Sequence, residues 1–175
     1  MYIAPSADLD MALNLIVQSK ISKISACNAL DKVLFHRDIS PDFYEKVKAA
    51  LTEKEVEIIE NPQEEAVWSE EFLDKKIVLA RTESLTAAAE KINKYSGKHT
   101  AVIVTADEAE AAKFTEITDC AAVGHNVSTR FTDGFQFGLG AEPAISTDKL
   151  HHRGPLGIEH LVTNKWYITG HGQTR

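Results

Sequence analysis

The sequence predicts an α/β fold with a largely parallel sheet flanked by helices. Three observations carry that prediction. Helical periods and short β-like runs alternate along the chain, as they do in βαβ units. The run Ala101-Val102-Ile103-Val104 is apolar at every position, which marks a strand buried on both faces. Capping residues stand where helices should begin.

Taken in order, Ser6 or Asp8 caps a first helix whose Leu9, Ala12, Leu13, Ile16 and Val17 share one face. That helix opens almost at once, as if the chain began inside a larger fold. Val33-Leu34-Phe35 is the first β-like run. Ser40 caps a second helix with Pro41 in its first turn, and Phe43, Tyr44, Val47, Ala50 and Leu51 keep the helical period. Val56-Glu57-Ile58-Ile59 is the next strand, and the stretch from Glu60 to Glu71 reads as an acidic loop. After the strand Ile77-Val78-Leu79-Ala80, a third helix carries Leu85, Ala88, Ala89 and Ile92 and stops near Gly97. A fourth helix follows Asp107, with Ala111, Phe114 and Ile117 on one side. Ala121-Ala122-Val123 and Trp166-Tyr167-Ile168 complete the expected strands, the latter as a C-terminal extension.

From Ser128 to Gly157 the period is lost, and Gly134, Gly138, Gly140, Gly154 and Gly157 punctuate the chain. A loop this long in a compact domain is functional or disordered. Here Phe131, Phe135 and Phe137 interleave with Arg130 and Arg153, which favours an ordered binding loop.

With 43% hydrophobic and 26% charged residues, the chain has the usage of a globular domain able to bury a core. A net charge of −7 argues against nucleic acid or an acidic membrane as partner. It leaves room for a small anionic substrate, which needs only one or two local cations. No apolar run approaches the ~20 residues of a membrane span, and the first residues lack the pattern of a secretory signal. Two cysteines, Cys27 and Cys120, are too few for a disulfide framework and have no metal-site spacing, so a cytoplasmic location is the simplest expectation. His151 and His152 have no third ligand spaced for a metal.

Three ordered segments resemble γ-glutamyl phosphate reductases, a branch of the aldehyde dehydrogenase superfamily. The first is Ser6-Ala7-Asp8-Leu9 followed by Ser25-Ala26-Cys27-Asn28-Ala29-Leu30. The second is Ser128-Thr129-Arg130-Phe131-Thr132-Asp133-Gly134 with Phe137-Gly138-Leu139-Gly140-Ala141-Glu142. The third is Ile145-Ser146-Thr147 with Leu150-His151-His152-Arg153-Gly154-Pro155-Leu156-Gly157. The chain departs from the family's pattern at Lys20 to Ile24, where a Gln-Arg-Pro-like run is typical, and at Pro143-Ala144.

The resemblance implies an aldehyde-dehydrogenase-like catalytic domain over residues 1–162 and a C-terminal strand, residues 163–175, that serves oligomerisation. It implies the NADPH-dependent reduction of L-glutamyl 5-phosphate to L-glutamate 5-semialdehyde in proline biosynthesis. Glutamate 5-kinase and further copies of the chain are the implied protein partners. The cofactor domain would precede the segment seen here. Gly138-Leu139-Gly140 does not replace it, since it neither follows a strand nor opens a helix. Without that domain the chain is expected to be inactive as a reductase.

By the same resemblance Cys27 is the catalytic nucleophile, because a thioester accepts hydride where an acyl phosphate does so poorly. A lone cysteine is otherwise more often a small core residue, which is the expectation for Cys120. Asn28, Ser128, Thr129, Arg130 and Arg153 are the candidate substrate-binding residues, with loop anchoring as the equal reading for Arg153. Arg130 is the leading partner for the substrate's α-carboxylate, which its planar fork suits, with a structural salt bridge as the other reading. Glu71 falls loosely where the superfamily meets the cofactor ribose, although an acidic loop is the favoured reading. The different-class alternative is a stand-alone, non-catalytic domain that binds a glutamate-like ligand or a partner protein.

Overall fold

The structure, a computed structural model, describes residues 1–149 and 151–175, so Leu150 of the third family-like segment lies outside the described residues. Its centre is a six-stranded sheet of β1 (Tyr2–Ile3), β2 (Lys32–His36), β3 (Glu57–Glu60), β4 (Lys76–Thr82), β5 (Thr100–Val104) and β6 (Ala122–His125). The strands stand in the order β3-β4-β2-β1-β5-β6, and every pairing is parallel. The helices are α1 (Leu9–Ile21), α2 (Pro41–Glu53), α3 (Glu65–Ser69), α4 (Leu85–Tyr95) and α5 (Glu108–Ile117).

Alternation along the strands divides the core into two layers. Ile3, Val33, Phe35, Ile77, Leu79, Val102 and Val104 meet α1 and α2 on one face. Tyr2, Leu34, Val78, Ala80, Ala101 and Ile103 meet α3, α4 and α5 on the other. Each long helix begins where its cap predicts. Asp8 accepts from the N–H groups of Asp10 and Met11, Ser40 from Phe43, Ser84 from Ala87, and Asp107 from Ala109 and Glu110. Past the end of α4, Gly97 takes the left-handed conformation (φ 61°) that ends helices at low cost.

Four features differ from the sequence reading. Tyr2–Ile3 is a strand at the middle of the sheet, wholly buried, yet two residues are too few to show a period. The acidic stretch holds α3, whose Trp68 is buried and donates to the Pro62 carbonyl at 3.0 Å. Within the glycine-rich stretch, β7 (Ala144–Ser146) and β8 (Gly154–Leu156) form a small antiparallel pair. Trp166-Tyr167-Ile168 is not a strand. A strand needs a hydrogen-bonded neighbour, no described strand lies beside it, and its side chains are 84–92% exposed.

Phe35 sits under α2, edge-on to Phe43 and Tyr44 at 6.3 and 5.1 Å between ring centroids. Phe35→Ala is expected to cost about 3–5 kcal/mol of stability, the usual range for emptying an aromatic core site. Urea unfolding of the two proteins measures it.

Candidate active site

In doubly wound sheets ligands generally settle at the carboxyl ends of the strands, where the connections diverge. Here that crevice, beside β1 and β5, is filled by the protein's own polar groups. Thr105 Oγ1 donates to Glu110 at 2.8 Å and lies 2.7 Å from Ser6 Oγ. Asn126 accepts from the Thr105 N–H at 3.0 Å and donates to its carbonyl at 2.9 Å, with His125 Nε2 3.0 Å from the same oxygen. The cavities lie instead at the amino ends.

Cys27 occupies the loop between α1 and β2, immediately before the amino end of β2. It is exposed, whereas Cys120 is buried, 3.6 Å from Ser96 Oγ, and burial pushes its thiol pKa up. A thiol must ionise and meet its electrophile, so exposure favours Cys27 as the reactive one. Cys27 lines two cavities. One, of about 370 Å³, also touches Leu30, Asp31, Trp68, Tyr95, His99 and Thr100. The other, of about 420 Å³, is bordered by Lys23, Ser25, Glu71, Arg130, Asp133 and Glu142. Asn28 and Glu71 line both.

The Ser128–Thr132 segment is stitched onto the cysteine loop. Asn126, at φ 53°, makes the turn out of β6, a conformation asparagine tolerates better than most residues. Ser128 Oγ meets Ser19 Oγ at 2.7 Å and accepts from the Arg130 N–H at 3.2 Å. Thr129 Oγ1 donates to the Asn28 carbonyl at 2.7 Å, and Asn28 Nδ2 donates to the Thr132 carbonyl at 2.8 Å. The side chains of Asn28, Ser128 and Thr129, expected to touch substrate, therefore bind one another's segments and hold Arg130 beside Cys27. Ser19, which also accepts from the Thr129 N–H at 3.3 Å, belongs to this support and was missed in the sequence. Its burial among helical residues is the only signal it leaves.

Within the second cavity the two carboxylates flanking Arg130 are engaged locally. Asp133 Oδ1 accepts from the N–H groups of Phe135 and Gln136, and Glu142 from that of Gly134. Among the described residues the Arg130 guanidinium has no protein acceptor, and the backbone N–H groups of Cys27 and Asn28 have none either. The site thus offers a free thiol, two backbone donors suited to an oxyanion, and a guanidinium suited to a carboxylate.

Arg153 is elsewhere. It lines neither cavity. Its Nη1 pairs with Asp119 at 2.9 Å and its Nε donates to the Thr147 carbonyl at 3.2 Å, which ties β8 to the segment before β6. Of the two sequence readings of Arg153, anion contact and loop anchoring, these bonds are of the second kind. His151 is exposed, and His152 packs edge-on against His160, 4.5 Å between centroids. No group of three metal-ligating side chains occurs among the described residues, nor any helix long and apolar enough to cross a membrane.

Lys149, Lys98 and Arg153 together hold the Asp119 carboxyl well below the usual carboxylate range. Its folded pKa lies below its unfolded one, so the stabilisation is present above the unfolded value, about pH 4, and is lost as pH falls from there. Asp119→Asn is expected to lower the melting temperature near neutrality, and the gap from the parent should close in acid. Thermal melts across pH 2.5 to 7 check the sign.

The fold belongs to the aldehyde dehydrogenase class. Lactaldehyde dehydrogenase from Escherichia coli superimposes with a TM-score of 0.66 at 15% identity, over 73% of this chain and 38% of that one. Glyceraldehyde-3-phosphate dehydrogenase GapN from Methanocaldococcus jannaschii, solved with NADP, gives 0.67 at 16% identity, over 75% and 40%. The likeness to gamma-glutamyl phosphate reductase is far greater. The Thermotoga maritima enzyme matches with a TM-score of 0.94 and 37% identity over 99% of this chain and 45% of that one. In sequence, gamma-glutamyl phosphate reductases of Dictyoglomus turgidum and Petrotoga mobilis are 43% and 45% identical over 99% of the chain. The chain spans about 45% of the length of these relatives. No family model matches it.

Proposed function

We propose that the chain is the catalytic portion, residues 1–162, of a γ-glutamyl phosphate reductase, with residues 163–175 as an oligomerisation element. One observation carries the reading. Within a chain similar to these reductases over 99% of its length, the exposed Cys27 lies at the meeting of two cavities and shares one of them with a free guanidinium, Arg130.

In this reading the Cys27 thiolate attacks the γ-carbonyl carbon of L-glutamyl 5-phosphate. A C–S bond forms, the carbonyl electron pair moves to oxygen, and the Cys27 and Asn28 N–H groups stabilise that oxyanion. As the carbonyl re-forms, the bond to phosphate breaks and phosphate leaves with the electron pair, which leaves a thioester. Arg130 receives the α-carboxylate and fixes the distance between thiolate and carbonyl. Reduction of the thioester to L-glutamate 5-semialdehyde requires a hydride donor, by family NADPH. The described residues do not fit a dinucleotide: among them no glycine-rich turn leads from a strand into a helix, and the carboxyl-end crevice is occupied by Ser6, Thr105, Glu110 and Asn126. Glu71, on the rim of both cavities, offers at most one carboxylate to a ribose. The reading includes a cytoplasmic location and a place in proline biosynthesis. The exposed Trp166-Tyr167-Ile168 supports self-association through the C-terminal segment.

Thioester formation needs no cofactor, so the chain tests the reading by itself. Incubated with acetyl phosphate, it is expected to release phosphate and to carry one hydroxylamine-labile acetyl group on Cys27, located by peptide mass spectrometry. A folded chain that stays unacylated favours the alternative, a domain that binds without catalysing.

A further inference from the structure

We propose that the Lys20–Asp31 pair, whose Lys20 is buried, is the positioning element of the active site, setting the Cys27 loop against the segment that carries Glu71. The proposal rests on Cys27 being the nucleophile. Lys20, in the last turn of α1, is fully buried although charged. Its Nζ lies 3.1 Å from Asp31 Oδ1, and Asp31 Oδ2 accepts from the Phe72 N–H at 3.1 Å. A single carboxylate therefore joins the end of α1, the entry to β2 and the chain at residues 70–72. The Leu30 N–H closes the same junction on the Ser19 carbonyl at 3.0 Å. Lys32 adds a bond to the Glu70 carbonyl and lies 4.6 Å from the Phe72 ring centroid.

The loop thus leaves α1 and returns to its starting point, with Cys27 at its outer end. Asp31 and Cys27 line the first cavity together, and Glu71 lies on the border of both cavities. Stability alone gives no reason for the pair. Burying the Lys20 ammonium strips it of water while Asp31 keeps 16% of its side chain exposed, and apolar residues of similar volume often serve a core equally well. What a charge-assisted bond supplies is fixed direction. Direction matters at this site, because a nucleophile displaced by about 1 Å can lose roughly 100-fold in rate.

The test uses three variants of the 175-residue chain: Lys20→Met, Asp31→Asn, and the apolar double variant Lys20→Met with Asp31→Leu. Asp31→Asn leaves the buried Lys20 uncompensated and can unfold the chain, whereas Lys20→Met leaves the partly exposed Asp31 with the Phe72 N–H. The double change removes both charges and is expected to keep a cooperative melt. Three rates are compared with the parent: Cys27 acylation by acetyl phosphate, Cys27 alkylation by iodoacetamide, and hydrogen exchange at the Phe72 amide and through residues 24–30. Acylation should fall about 10- to 100-fold in the double variant. Alkylation, which needs only an exposed thiol, should stay close to the parent, and exchange should quicken. Parent-like acylation in a folded double variant overturns the proposal. So does a parallel fall in acylation and alkylation, since the pair would then act on the thiol itself and not on its placement. If the parent chain is not acylated, the functional reading fails separately, and unchanged exchange at Phe72 and the cysteine loop would still sink the positioning role.

Discussion

Cys27→Ser abolishes acylation by acetyl phosphate, while Cys120→Ser acylates at the parent rate and changes only stability. The expectation follows from the contrast between an exposed thiol bordering both cavities and a buried one whose pKa burial raises. Serine keeps the size of the side chain, so a loss of reaction in a folded variant reports the missing thiolate. A serine hydroxyl is a far weaker nucleophile than a thiol at its ordinary pKa. Peptide mapping after acetyl phosphate treatment reads both variants at once. An acetyl group found on Cys120 in the Cys27→Ser chain would reverse the assignment of the two cysteines.

In a full-length reductase built on this chain, Arg130→Ala lowers kcat/KM for oxidation of glutamate semialdehyde in the presence of phosphate by about 30- to 150-fold. That is the kinetic equivalent of losing a charge-assisted contact of about 2–3 kcal/mol. Arg130→Lys falls between the two, because it keeps the charge and loses the two-pronged geometry. The structural basis is that Ser128 and Thr129 secure the backbone around Arg130 while nothing in the described chain occupies its guanidinium. Acylation by acetyl phosphate, which has no α-carboxylate, is expected to be almost indifferent to both changes. A folded Arg130→Ala enzyme with parent-like kcat/KM would make Arg130 a structural residue.

Much of this architecture is legible in one sequence because its signals are local. Asp8, Ser40 and Asp107 cap helices by touching amides two or three residues away, and β5 declares its burial in four consecutive apolar residues, Ala101 to Val104. What escaped notice depends on distant partners. β1 is a strand only because β2 and β5 flank it, and α3 is helical over five residues anchored by Trp68. The site divides in the same way. Cys27 and Arg130 sit in recognisable motifs, but motif membership does not say which neighbour touches substrate and which supports the loop. Asn28 Nδ2, Ser128 Oγ and Thr129 Oγ1 meet protein partners and Arg153 meets Asp119, contacts that motif membership does not announce. The Lys20–Asp31 contact is equally silent, since it closes only when the loop between them folds back.

The bonds between the cysteine loop and the Ser128–Thr132 segment join residues 101 to 110 positions apart. Contacts of that separation form late, because the intervening chain must be ordered before they repay its closure. During synthesis, Cys27 leaves the ribosome roughly a hundred residues ahead of the segment that pins its loop. The nascent chain therefore carries its thiol on a loop closed at its base by Lys20, Asp31 and Leu30 and still missing its bonds to residues 128–132. A chain cut just after α5 would keep five of the six parallel strands, the cysteine and the Lys20–Asp31 pair at the base of its loop, and would lose the bonds that join Asn28 to Thr129 and Thr132.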